Sequence, residues 1–208
     1  DNVYEIYNAG QLYWFAALVN GDTGFEGVTE ADRSANARLM NDIIVNVNVL
    51  NGQGELNAGT SYTVWTPIGN SSSDFRGIFD GAGHSVSGLY FNDTETDFVG
   101  FFASSRGTIK NVGVVDSYIK GNEHVAGVCA YNMYGTISNC YNEGTVCGGG
   151  NNVGGVCSES YGGTVTNCYN AGAVSGTGYH YVGGLCGDNY NGTITYSFNR
   201  GKVSGVSY

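Results

Sequence analysis

The sequence predicts an all-β fold, a right-handed parallel β-helix of about 28 residues per regular coil, closed at its N-terminus by a capping helix. Three observations predict it. Residues 107–208 read four times over, as GTIKNVGVVDSYIKGNEHVAGVCAYNMY, GTISNCYNEGTVCGGGNNVGGVCSESYG, GTVTNCYNAGAVSGTGYHYVGGLCGDNYN and GTITYSFNRGKVSGVSY. The rows start at Gly107, Gly135, Gly163 and Gly192, a spacing of 28, 28 and 29 residues, and self-similarity in this range marks a solenoid, propeller or array. The recurring apolar positions carry Val, Ile, Tyr and Phe, which suit strands, with Gly and Asn between them. A propeller blade needs more residues per unit, and a leucine-rich repeat needs a Leu consensus that these rows lack.

The chain in order supports this reading. Residues 1–36 read as an edge strand, VYEIY, followed by a helix. Asn8 and Gln11 resemble a capping box, Leu12, Phe15, Ala16 and Val19 recur at helical spacing, and Asn20-Gly21 is a natural stop. A stack of strands needs its end covered, and a helix carrying Trp14 and Phe15 suits that task. Residues 37–208 read as the β-helix: irregular coils with long loops over 37–106, regular repeats over 107–208, and a last coil that is incomplete. YTVWTPIG reads as a strand ending at Pro67, and FRGIFDGAGHSVSGLYF as two short strands around turns. Each regular row reads as three strands, around Ile137, Val146 and residues 153–157. Asn142, Asn170 and Asn199 form a column assigned to a corner, where amides bond along the stack and tolerate left-handed backbone. In the third strand, strict alternation cannot bury Val156 together with Val153 and Cys157 unless a bulge intervenes.

The pairing of WTPIG with FRGIFDGAGHSVSGLYF, the pattern GTI-x-N-CYN-x-G-x-V-x-G and the step VGGLCG resemble the GLUG-motif family of bacterial surface proteins. The Gly-Leu-x-Gly step is complete at Gly184-Leu185-Cys186-Gly187, whereas Phe102, Val128 and Val156 stand for the Leu elsewhere. The resemblance implies a right-handed parallel β-helix in a large exported polypeptide, used as an adhesin-like or stalk module. Some such arrays sit beside metallopeptidase domains that cut host immunoglobulin. The resemblance brings no catalytic residues to this chain.

Composition narrows the partners. A net charge of −10, with eight Lys and Arg, repels a polyanion over most of the surface, so no nucleic acid is expected. No apolar run reaches the roughly 18–20 residues of a membrane span, so no membrane insertion is expected either. Cys129, Cys157 and Cys186 share one column and Cys140 and Cys168 another, while Cys147 stands alone. Equivalent thiols with parallel side-chain vectors suit a disulfide poorly, so they read as free, buried small hydrophobes.

Candidate sites are few. If Cys140 and Cys168 point inward, alternation turns Tyr141, Tyr169 and Phe198 outward, a candidate ligand-binding aromatic column. Asp93, Glu95 and Asp97 are the candidate Ca2+ ligands, weakened by the lack of a glycine turn. Asp80 and His84 in DGAGH are the pair a carbohydrate-cleaving β-helix would use, but their spacing suits a tight corner. Arg76, Arg106, Lys110 and Lys120 read as too few and too scattered to neutralise an acidic sugar. The sequence therefore predicts a non-catalytic, extracellular or cell-surface module without a cofactor. Its expected partner is a protein or glycan of a host or neighbouring cell. The alternatives are a β-solenoid that self-associates through its open C-terminal coil and a carbohydrate-binding or carbohydrate-cleaving β-helix.

Overall fold

The computed structural model describes residues 3–178 and 181–206, which form a parallel β-solenoid with one short N-terminal helix. Among the described residues the strands fall into five parallel sheets, of seven, six, five, three and four strands. One regular coil visits each sheet once, through Thr136–Ser138, Tyr141–Asn142, Thr145–Gly148, Val153–Gly154 and Cys157–Tyr161. The rows stack in the register the repeat predicts, with Thr108, Thr136, Thr164 and Thr193 paired in succession and Val125, Val153 and Val182 likewise.

Three strands per coil thus become five, for two local reasons. The first expected strand bends at a left-handed residue, Asn111, Asn139 or Asn167 in successive rows, with φ of 56°, 54° and 52°. Asn tolerates this region better than other non-glycine residues, and Asn139 Nδ2 also donates to Asn111 Oδ1 at 3.0 Å. The corner therefore lies at these asparagines, not at Asn142, Asn170 and Asn199. Those three bond along the stack as expected, but the first two are fully buried.

The last expected strand divides at a bulge. The amides of Val156 and Cys157 both donate to the carbonyl of Leu185, and those of Val128 and Cys129 both donate to that of Val156. Two residues facing one turn consecutive side chains inward. Val153, Val156 and Cys157 are all fully buried, which resolves the conflict that alternation leaves open. The bulge also explains both glycines of the VGG step. A Cβ at Gly154 would lie 1.8 Å from the Cys157 carbonyl oxygen, and one at Gly155 would lie 2.3 Å from the Asn170 side chain. Gly127 meets Asn142 and Gly184 meets Asn199 in the same way, so glycine and asparagine columns form one packing unit.

The irregular coils depart further from expectation. Residues 62–67 form no strand; Trp65 donates its amide to Tyr90 and Ile68 makes one bridge to Phe102. FRGIFDGAGHSVSGLYF contributes three strands rather than two, Ile78–Asp80, Ser85–Ser87 and Tyr90–Asn92. Val3–Ile6 pairs in parallel with Asn36–Leu39 and so forms the first rung of the seven-stranded sheet.

Helix α1 (Ala9–Asn20) covers that end. Asn8 caps it by accepting from the Gln11 amide at 3.0 Å, while the Gln11 side chain reaches back to the Tyr7 amide at 2.7 Å. Gly21, at φ 75°, ends it in a left-handed cap bonded to Ala17 and Leu18. Leu12, Phe15, Ala16 and Val19 are all fully buried. Phe15 packs on Phe75 and Phe79, which lead through Phe101 and Phe102 to Trp65, so aromatic rings fill the core beside the helix. Val, Ile and Cys fill the regular coils.

The opposite end is open. Leu185, Cys186 and Ile194 are half-buried and Phe198 is exposed, although their counterparts Val156, Cys157 and Val165 one coil earlier are fully buried. The difference arises from the absence of a following described coil, not from composition.

Candidate binding surface

The six-stranded sheet turns Tyr141, Tyr169 and Phe198 outward, as alternation predicts, with Cys140 and Cys168 buried beneath them. The rings of Tyr141 and Tyr169 lie 5.0 Å apart and 1° from parallel, and Phe198 continues the stack at 5.5 Å and 11°. Tyr141 reaches over Gly113, where a Cβ would strike its ring. Glu143 accepts from the Tyr169 hydroxyl at 3.3 Å and from Arg200 at 3.5 Å, and the Arg200 guanidinium lies 5.4 Å from the Tyr169 ring centre. Partial burial, reinforced by Glu143, raises the Tyr141 and Tyr169 phenol pKa values. Stacking along the axis hides the ring faces inside the column. The column presents ring edges and hydroxyls to a partner.

A second group, on the four-stranded sheet, escaped the sequence reading. His124 stacks flat on Phe98 at 4.5 Å, with Tyr131 edge-on to both rings. Its Nδ1 lies 3.4 Å from Glu159 Oε2, which also accepts from Asn152 Nδ2 at 2.8 Å. Register places Tyr131 beside Glu159 and Glu159 beside Asp188. Burial raises the Glu159 pKa, His124 opposes this, Asp188 adds to it, and the Asn152 hydrogen bond opposes it. The column Tyr131, Glu159, Asp188 is visible in the aligned rows, but only the bulge fixes which of its neighbours point outward.

A third group contradicts the expectation that the basic residues are scattered. Asp74 is approached by Arg76 Nε at 3.0 Å, Arg106 Nε at 3.0 Å and Arg33 Nη1 at 3.8 Å. Burial of Asp74 would raise its pKa, but hydrogen bonding and charge from Arg76, with Arg106 behind, hold it below the ordinary carboxylate value. The three arginines are separated by 43 and 30 positions in sequence (33 to 76, 76 to 106) and meet only because coils stack.

The remaining candidates separate. Asp80 faces Lys110 at 3.4 Å and accepts from Asn111 at 2.9 Å, whereas His84 faces Asp42 at 3.4 Å, so Asp80 and His84 do not form a pair with each other. Asp93 accepts from Thr96 Oγ1 and the Glu95 amide, and Asp97 from Asn122 and the Glu123 amide. These carboxylates staple two turns instead of converging with Glu95, and among the described residues no three His, Cys, Asp or Glu gather as a metal set. All six cysteines are free, and Cys129, Cys140, Cys157 and Cys168 are buried.

What the fold and its surface define is a parallel β-solenoid in which most repeated residues serve the coil and an outward aromatic column repeats beside them. Residues 121–146 and 178–204 match the GLUG motif, so two stretches of the repeated rows are GLUG repeats. It is 30% identical over 79 residues, 36% of its length, to a protein of Evansella cellulosilytica provisionally named a Gly-rich membrane protein. It is 31% identical over 151 residues, 70% of its length, to halomucin of Haloquadratum walsbyi. The chain spans only 9% and 2% of the lengths of these two relatives. A crystal structure of a provisionally assigned immunoglobulin A1 protease from Bacteroides ovatus superposes on 99% of this chain and 68% of its own, at a TM-score of 0.59 and 19% identity. That likeness shows the fold alone. Among the described residues no helix is long and apolar enough to cross a membrane.

Proposed function

We propose that this chain is a non-catalytic extracellular module of a larger surface polypeptide, adhesin-like or used to display other domains away from the cell. The observation that carries the reading is the outward ladder of Tyr141, Tyr169 and Phe198 with Glu143 and Arg200, which the core does not need. Exposed aromatic and arginine groups on a rigid frame are the residue types that anchor protein contacts. The names and great lengths of the two curated relatives support a surface setting and a modular role. Antibody labelling of intact cells tests the setting. Binding of the chain to host or neighbouring cells, compared with Tyr141→Ala/Tyr169→Ala, tests the role. Unchanged adhesion in a folded double variant would remove the ladder from it.

A further inference from the structure

We infer that the corner between the four-stranded and seven-stranded sheets is a binding site for an acidic glycan, with Arg33, Arg76 and Arg106 holding its carboxylate or sulfate groups. The inference does not depend on the cell-surface role proposed above. In a chain of net charge −10, three of its eight basic side chains converge on one carboxylate. Three guanidiniums against one Asp74 leave an excess of two positive charges within the cluster. Structural need accounts for only part of this arrangement. Asp74 satisfies its two oxygens with Arg76 Nε and Nη2 and with Arg106 Nε. Among the described residues the Nη atoms of Arg106 make no hydrogen bond within the chain, and the arginine side chains remain 38%, 45% and 42% exposed. Asp74 thus acts as a clamp that fixes the forks and leaves donor edges facing solvent, the preorganised form in which guanidinium binds oxyanions best.

The same corner continues as an aromatic strip. Arg76, Arg106 and Tyr134 occupy one position in successive coils, because Ile78, Thr108 and Thr136, two residues on, are in register. Tyr134 is 62% exposed and lies over Gly162, edge-on to Tyr161 at 5.4 Å, and Tyr190 stacks on Tyr161 at 5.1 Å. From the Arg76 coil to the Tyr190 coil is four steps, about 19 Å at the usual strand spacing. A basic anchor followed by a linear row of tyrosines suits a chain-like ligand that carries both acidic groups and apolar ring faces. Nucleic acid shares those features, but the surrounding acidic surface disfavours a ligand charged at every unit. A glycan with spaced charges fits better.

The test is retention of the intact chain on immobilised hyaluronan, which offers a carboxylate on every second sugar, and keratan sulfate, which offers sulfates without carboxylates, with neutral dextran as the blank. Salt-sensitive binding to at least one acidic polymer and none to dextran is expected, the preferred polymer naming the acidic group. Arg76→Gln/Arg106→Gln should weaken binding at least about tenfold, equivalent to about 1.4 kcal/mol. Tyr134→Ala should weaken it several-fold, and Tyr196→Ala, at an 86% exposed ring outside this corner, should leave it unchanged. If the double arginine variant fails to fold, Arg33→Gln, whose guanidinium is the farthest from Asp74, carries the same test with Tyr134→Ala. Absence of binding to both polymers, unchanged binding in the folded arginine variants, or equal competition by a DNA oligonucleotide would overturn the assignment.

Discussion

Replacing Asn170 by Ala removes the middle rung of a buried amide ladder, and its cost can be worked from the structure. Asn170 Nδ2 donates to the Gly172 carbonyl at 2.9 Å and to Asn199 Oδ1 at 2.8 Å, while its Oδ1 accepts from Asn142 Nδ2 at 2.8 Å. Asn142 and Asn170 are fully inaccessible to solvent, so water cannot replace the lost partners there. Each bond contributes about 1 kcal/mol net, and a buried group left unpaired costs about 1–3 kcal/mol. The Asn199 side has access to water and should contribute least. The sum is roughly 2–4 kcal/mol, or about 5–15 °C in Tm for a chain of this size. Urea unfolding followed by circular dichroism should show a lower midpoint at an unchanged slope. Asn199→Ala, at the exposed end of the same ladder, should cost less than about 1 kcal/mol. An Asn170→Ala variant within 0.5 kcal/mol of the parent, or an Asn199→Ala variant that costs as much, would refute the claim that burial makes this ladder matter.

Three further outcomes follow from other parts of the coil. Gly155→Ala should destabilise the chain by about 1–3 kcal/mol or more, because the added methyl meets the Gly184 carbonyl oxygen at 2.2 Å as well as the Asn170 amide; thermal melts beside Gly52→Ala, whose methyl meets nothing, provide the check. Glu159 has a folded pKa raised above 4.5, so the folded state holds its proton more tightly than the unfolded state, and charging it costs stability as pH rises through that window. Glu159→Gln should therefore melt higher than the parent at pH 7, with the difference shrinking as pH falls toward about 4.5; a difference that grows on acidification would reverse the assignment. In native protein, Cys147 and Cys186 should react with a thiol reagent before Cys129, Cys140, Cys157 and Cys168, whose reaction should track unfolding.

Much of this could be read from the rows. Periodicity assigned the solenoid, its register and the inward thiols, since stacked coils force equivalent residues into equivalent places. Helix α1 was legible for a different reason: its caps and apolar spacing are local. The five-strand coil was less so. Asn139 turns the chain through its own backbone conformation, and the bulge at Val156-Cys157 forms through a shared carbonyl one coil away; an Asn column and the VGG step mark these places in the rows, but only the fold shows what they do. The aromatic ladder was placed correctly, but its stacking, which hides the ring faces, depends on a spacing that exists only in three dimensions.

The sequence by itself determined the repeat, the coil length, the capped end and the column of outward rings, because each follows from local chemistry or from periodicity. Only the tertiary structure decided that Arg33, Arg76 and Arg106 meet at Asp74. Arg76 and Arg106 lie in the irregular coils and Arg33 just ahead of them, where loops of unequal length hide the alignment. Stacking at the strand spacing brings together side chains that no sequence interval relates. The same stacking separated Asp80 from His84, each held by a partner from another coil, and drew Asp97 to Asn122 and Glu123 while Asp93 stayed with Glu95 and Thr96 of its own loop.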